Sequence, residues 1–255
     1  MKNAVIIPAR LNSKRFPGKI IYKINGLPMV EHVRRRALLS KSIDKVFIAT
    51  GDQDIANELQ KYNANIIFTE GKHENGTSRI SEAAKYVNCE NVILVQGDEP
   101  LILPDDIDRI SNSLDDIKSF NCVNATCRLD SKDELFDHNI VKCSVIENKI
   151  IYCYRTSPST SPFSVQKKYV HKLLGLMAFK KKFLLMFDKN KNSIIQKTES
   201  IEQMKLIEQG FSINNFEINE NQPSINTFED LIEYQNFIKK TPKQDYLLNK
   251  TLQMK

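Results

Sequence analysis

The residues of this chain best suited to chemistry are one acid and a group of cations. The apolar run Asn91-Val92-Ile93-Leu94-Val95 leads directly into Gln96-Gly97-Asp98-Glu99-Pro100. That puts a carboxylate at the tip of a buried strand, where ligands gather in open α/β sheets. Near the N-terminus, Ile6-Ile7-Pro8 runs into a loop carrying Arg10, Lys14, Arg15 and Lys19. Arg grips phosphate oxygens with a planar fork and Lys supplies a point charge. An acid able to hold Mg²⁺ and a loop able to grip a triphosphate together suggest nucleotide chemistry. Taken alone, each has a plainer reading: a turn aspartate and a solvated cationic turn. The loop is no Walker A motif, because Pro17-Gly18-Lys19 lacks that spacing.

Two further segments belong beside these. Gly71 to Arg79 forms a loop opening a helix, whose free N–H groups can meet an anion or a base edge. In residues 199–205, Ile201 and Met204 keep helical core spacing, which leaves Glu199, Glu202 and Gln203 to reach a polyhydroxy ligand or to be ordinary exposed positions.

The elements that must position these residues alternate over the first 120 positions. Strand-like runs at 4–8, 45–50, 64–69 and 91–96 are separated by helix-like stretches at 28–40, 53–62 and 77–87, with another at 104–114. Asp52, and Ser78 with Glu82, are candidate helix-start signals. This order indicates an α/β fold with a mostly parallel sheet. Strand-like runs at 121–128, 141–146, 149–154 and 169–179 suggest an antiparallel insertion at about 121–178. A helix at 199–209 ending at Gly210, a strand at 211–218 and a helix at 227–240 complete a single domain, 1–240. The polar tail, 241–255, is expected to be peripheral.

Composition bounds the possibilities. The 255 residues are 41% hydrophobic and 27% charged, enough for one large core. Ten of the cations lie in residues 1–41 against one acid, Glu31, so this segment carries +9 of a net +6 and the remainder −3. Arg34, Arg35 and Arg36 read as a solvated helix face. The basic N-terminus admits an anionic small molecule or nucleic acid, and the absence of a nucleic-acid motif or aromatic platform favours the former. Five cysteines without a CxxC pair suggest a reduced, cytoplasmic protein. No signal-peptide pattern and no run of about 20 apolar residues is present, so no membrane association is expected.

Taken together, the stretches 6–19, 24–33, 74–83, 95–102, 199–210 and 224–231 resemble the cytidylyltransferases that activate acidic sugars, in particular the 3-deoxy-D-manno-octulosonate (Kdo) group. They occur in the family's order. The resemblance implies a Rossmann-like fold of the nucleotide-sugar-transferase type, a homodimer built on the insertion, and Mg²⁺ as cofactor. It implies that CTP and a 3-deoxy-ulosonic acid are joined to give a CMP-sugar and pyrophosphate, for lipopolysaccharide or capsule synthesis. It places Arg10, Lys14, Arg15, Lys19, Gly76, Thr77, Arg79 and Gln96 on CTP, with Arg15, Lys19 and Asp98 catalytic. It places Arg155, Glu199, Glu202 and Gln203 on the sugar acid, and Asp98 with Asn226 on the metal.

Three departures from the family's pattern stand out. Asn226 replaces a second metal carboxylate, so a weaker or differently loaded second metal site is expected. Arg155 to Pro162 is unusually rich in Ser and Pro. Leu173-Leu174-Gly175-Leu176-Met177 lacks a polar position near the sugar pocket. The last two leave open which ulosonic acid is used.

Overall fold

Every residue of β1 (Asn3–Pro8) is buried, as expected of a central strand flanked on both faces. In the computed structural model, which describes residues 1–13, 15–116, 121–187, 193–220 and 222–254, it sits within a nine-stranded sheet. The remaining elements follow in chain order. A small ladder pairs β2 (Lys23–Ile24) with β3 (Leu27–Pro28) and leads into α1 (Met29–Leu38). Then come β4 (Lys45–Thr50), α2 (Gln53–Gln60), β5 (Asn65–Phe68), α3 (Gly76–Ala84), β6 (Asn91–Val95) and α4 (Pro104–Asp116). The middle of the chain supplies β7 (Cys122–Arg128), β8 (Lys142–Ile146), β9 (Lys149–Tyr154), α5 (Phe163–Gln166), β10 (Val170–Lys180) and α6 (Lys181–Phe187). Last are α7 (Ile194–Glu199), α8 (Gln203–Glu208), β11 (Ile213–Glu217), α9 (Asp230–Lys240) and α10 (Pro242–Gln253).

The large sheet runs β5-β4-β1-β6-β10-β7-β11-β9-β8. Its first four strands are parallel, as the alternating pattern requires. Beyond them the expectation of a mostly parallel sheet fails. β10 runs antiparallel to β6, β7 and β8, and β9 antiparallel to β11 and β8, so the sheet is mixed. Residues 121–178 supply strands at two places: β10 and β7 lie between β6 and β11 in the middle of the sheet, and β9 and β8 form the edge opposite β5.

Alternation along the strands divides the core into two layers. Ala4, Ile6, Val92 and Leu94 pack with Ile80 and Ala83 of α3 and Phe183 of α6. Val5, Ile7, Ile93 and Val95 pack on the other face with Val30 and Val33 of α1, Ile55 of α2 and Ile107 of α4. Each fully buried aliphatic side chain contributes about 1.5–3 kcal/mol. All five cysteines are free and buried, and Cys122, Cys143 and Cys153 pack in the first layer as small hydrophobes.

Three expectations need correction. The tail is not peripheral: α10 buries Leu247, Leu248 and Thr251, and Leu248 joins a third cluster with Met29, Tyr234 and Ile238. Nor is the arginine run solvated. Arg34 and Arg35 both bond to Glu31, which is fully buried, and Arg35 also donates to the Thr251 carbonyl of α10 at 2.7 Å. Arg36 is fully buried, donates to Gln244 Oε1 at 2.6 Å, and has its pKa lowered by burial to about 10. A helix face that would be wet on its own is covered by α10. Finally, the helix expected at 199–209 is shorter, Gln203–Glu208: Glu199 instead ends α7, and Ser200 in a left-handed conformation, φ 54°, separates the two helices.

Candidate active site

The cleft opens at the carboxyl ends of β1 and β6 and encloses about 870 Å³. From β1 the chain enters the cationic loop. Asp52, positioned before α2 as expected of a cap, instead accepts the Leu11 N–H at 3.0 Å and fixes the start of the loop. The Gly18 N–H reaches back to the Leu11 carbonyl at 3.0 Å and closes the loop. Gly18 takes φ 73°, a left-handed value that glycine adopts at little cost, and delivers Lys19 into a short 3₁₀ turn, residues Lys19–Ile21.

Lys19 is 7% exposed, and its Nζ donates to Asp98 Oδ2 at 2.6 Å and to the Ile225 carbonyl at 3.0 Å. The Ile225 N–H in turn donates to the Asp98 carbonyl at 3.0 Å, so three distant segments meet at this pair. Close packing beside it needs glycine. A Cβ on Gly97 would lie 2.9 Å from Ile20 Cδ1, and one on Gly175 would lie 2.7 Å from Glu99 Oε1. Gly175 falls where the β10–β7 register shifts, which makes room for Gln96 and Glu99. Desolvation first, and the neighbouring Asp98 second, push the Glu99 carboxyl up to about 8.

Arg15 spans the mouth. Its NH1 donates to Asn139 Oδ1 at 2.6 Å and its NH2 to Asn226 Oδ1 at 2.9 Å. Asp230 closes back on the Asn226 and Thr227 N–H groups at 2.7 and 2.8 Å, fixing the turn that carries Asn226. On the far wall, α3 is capped by Asn75, whose Oδ1 accepts from the Ser78 N–H at 2.9 Å. Ser78 and Glu82 do not cap it: Glu82 faces the Glu70 and Gly71 N–H groups. Glu202 accepts from the Gly76 and Thr77 N–H groups at 3.3 and 2.8 Å, from the Thr77 hydroxyl, and from Gln96 Nε2 at 3.3 Å. Arg79 donates to Thr69 Oγ1 at 2.6 Å, and burial lowers its pKa. Arg155 donates to three backbone carbonyls, of His138, Glu199 and Ser200, so no carboxylate is bonded to it among the described residues.

The structure thus brings Arg10, Arg15, Lys19, Gly76, Arg79, Gln96, Asp98, Arg155, Glu202 and Asn226 to one cleft. Thr77 lies just behind its wall, on Glu202. Lys14 lies outside the described residues. Glu199 contributes its carbonyl to Arg155 while its side chain is exposed outside the lining. Gln203 is buried in the sheet, donating to Asn124 Oδ1 at 2.8 Å and to Met177 S at 3.4 Å, and does not line the cleft. Sequence reasoning missed Asn139, Gln196, Lys197 and Ser200. Ser200 lies within the matching stretch 199–210 but is a plain serine between the acids singled out there; Asn139, Gln196 and Lys197 lie outside any such stretch, and contacts across the fold reveal them. Six cations (Arg10, Arg15, Lys19, Arg79, Arg155 and Lys197) face three acids (Glu74, Asp98 and Glu202) across the cleft, which suits a polyanion.

A strand-tip acid beside a cationic loop at the carboxyl ends of the strands of a mixed α/β sheet defines a nucleotidyltransferase-type site, and a family model described as cytidylyltransferase matches residues 4–218. The chain is 33% identical over 249 residues to the 3-deoxy-manno-octulosonate cytidylyltransferase of Chlorobium phaeobacteroides, covering 96% of this chain and 100% of that protein. It is 31% identical to the Escherichia coli protein of the same name, covering 89% and 92% of the two chains. The chain belongs to the 3-deoxy-manno-octulosonate cytidylyltransferase family. A solved structure of CMP:2-keto-3-deoxy-manno-octonic acid synthetase complexed with CTP superposes with a TM-score of 0.85 at 29% identity, covering 94% of this chain and 99% of that one. The 4-diphosphocytidyl-2C-methyl-D-erythritol synthase of Anaerococcus prevotii, 16% identical with a TM-score of 0.63, shares the fold.

Proposed function

We propose that this chain transfers the cytidylyl group of CTP to the anomeric hydroxyl of Kdo, or of a modified Kdo, releasing pyrophosphate. The observation that carries this reading is the meeting of Lys19, Asp98 and Arg15 in one cation-rich cleft within a cytidylyltransferase fold. The four parallel strands β5-β4-β1-β6 form a Rossmann-like half suited to the nucleotide.

In the reaction, the sugar oxygen forms a bond to the α-phosphorus of CTP, and the bond from that phosphorus to the oxygen bridging the β-phosphate breaks. The hydroxyl proton passes to solvent, and pyrophosphate leaves with the bridging oxygen and the electron pair of the broken bond. Such transfer depends on alignment and charge stabilisation, so no nucleophilic side chain is required. Arg10, Arg15 and Lys19 hold the phosphates and oppose the charge that builds on the leaving group. Gly76, Thr77 and Arg79 bound the cytidine side, while Gln96 faces the reacting centre. Arg155, whose hydrogen bonds among the described residues go to carbonyls, takes the sugar carboxylate, and Glu202 lies between the two subsites.

The donor set suits Mg²⁺ shared with substrate phosphates. Asp98 is a single carboxylate on the cleft wall, and no cluster of three or more His, Cys, Asp or Glu side chains able to hold a metal occurs among the described residues. Mg²⁺ typically takes one or two protein carboxylates plus phosphate oxygens. Asp98 would hold the ion, which polarises the reacting phosphoryl oxygens when bound. The working protein we propose is a cytoplasmic homodimer serving lipopolysaccharide or capsule synthesis. No helix among the described residues is long and apolar enough to cross a membrane, consistent with this.

The test is pyrophosphate release from CTP with a panel of ulosonic acids, with the CMP adduct identified by mass. Release with Kdo or a Kdo derivative supports the proposal. Tight CTP binding without release across the panel contradicts it.

A further inference from the structure

Asn226 occupies the position at which the family's pattern carries a second carboxylate, yet its side-chain oxygen, its side-chain nitrogen and its backbone N–H are all engaged. Its Oδ1 accepts from Arg15 NH2 at 2.9 Å, its Nδ2 donates to Ser224 Oγ at 2.9 Å, and its backbone N–H donates to Asp230 at 2.7 Å. Asn139, on the connection between β7 and β8, holds the other guanidinium nitrogen of Arg15 at 2.6 Å. A second contact ties the same two segments together independently. Phe16, next to Arg15, packs against Phe228, two residues beyond Asn226, with ring centroids 5.7 Å apart, and Tyr22 meets both rings at 5.3 and 6.1 Å.

Both partners of Arg15 are neutral amides. They fix the planar fork in space without cancelling its charge, so the full cation remains for an anionic ligand. A carboxylate at 226 would orient the fork equally well but would neutralise it. The Asn226 oxygen is neutral and already accepts from the guanidinium, so it offers a metal no charge, whereas Asp98 offers a full carboxylate with a second oxygen beside the one bonded to Lys19.

We propose that Asn226, together with Asn139, is a positioning residue for Arg15 and not a ligand of the metal. The proposal rests on the reading of Arg15 as a CTP-phosphate residue. It makes the cleft one in which a single protein carboxylate, Asp98, serves the metal, and an oriented, uncompensated arginine serves the phosphates.

Calorimetric titration with CTP in EDTA, beside Mn²⁺ uptake by the enzyme–CTP complex read by electron paramagnetic resonance, tests it. Asn226→Ala and Asn139→Ala should each raise the metal-free Kd for CTP about three- to tenfold, the equivalent of one net hydrogen bond. Asn226→Asp should weaken metal-free CTP binding more than Asn226→Ala does. In an Arg15→Ala background, Asn226→Ala should add nothing further. The affinity of Mn²⁺ for the complex should stay within about twofold in Asn226→Ala. Loss of Mn²⁺ with metal-free CTP binding intact overturns the proposal, as does Asn226→Asp binding metal-free CTP like the wild type. A wild-type chain that fails to bind CTP overturns the functional reading itself. A wild type that binds, with variants that bind equally, overturns only the positioning role. Asn139 lies on a different segment from Asn226, so a folding defect in one variant leaves the other informative.

Discussion

Lys19 Nζ and Asp98 Oδ2 lie 2.6 Å apart although 79 residues separate them in the chain. The lysine is nearly buried and the acid is a quarter exposed, so the carboxylate is held in place and still open to the cleft. Asp98→Asn keeps the shape but removes the charge. Turnover should fall by about 10² or more, with circular dichroism unchanged. A near-normal kcat for pyrophosphate release in this variant would show that the acid is misassigned.

Arg15 sits at the mouth of the cleft and, among the described residues, hydrogen-bonds to two amide side chains. Arg15→Ala should raise the KM for CTP about tenfold and move the KM for the sugar acid much less. Steady-state kinetics with each substrate varied in turn separate the two effects; a selective change in sugar KM would count against the phosphate role.

Glu202 bonds to both N–H groups that open α3 and also to Gln96. Glu202→Ala removes a carboxylate from a helix N-terminus and should destabilise the fold by about 1 kcal/mol. Because the same carboxylate links the two proposed subsites, KM should rise for both substrates. Thermal unfolding and the two KM values check this together.

His32 is fully buried, with Nε2 against the Ile24 carbonyl at 2.8 Å, and burial lowers its pKa from 6.5 to about 4. Between these values the unfolded chain binds the proton and the folded chain does not. Stability from this group is therefore complete above pH 6.5 and is lost as pH falls towards 4, by about 3 kcal/mol in all. Denaturant midpoints from pH 7 to 4 should fall more steeply for the wild type than for His32→Gln. Parallel curves would exclude this origin of acid sensitivity.

Removing residues 242–255 strips Leu247 and Leu248 from the core and the Thr251 carbonyl from Arg35. The loss should exceed about 3 kcal/mol on apolar burial alone. A truncated chain melting at the wild-type temperature would restore the picture of a peripheral tail.

Some of this was legible in the residues themselves. The alternating pattern of the first half marks the four parallel strands, because strands buried on both faces must read as continuous apolar runs. Gly210 ends α8 in the left-handed conformation, φ 76°, as its position suggested. The strand order of the second half was not legible, because a run such as 170–180 carries no mark of whether it enters at the centre of a sheet or at its edge. The same limit hid the fate of Arg34 to Arg36, since a helix face is wet or buried according to what covers it.

Local order therefore determined the strand-to-loop positions of the cations and of Asp98, since periodicity and turn chemistry act over a few residues. Only the tertiary structure decided that Lys19 pairs with Asp98, that Arg15 rests on Asn226 across 211 residues, and that Glu202 holds Thr77 across 125. Such contacts form when packing of the whole sheet carries remote segments to the carboxyl ends of its central strands. No stretch of chain records by itself which partner it will meet there.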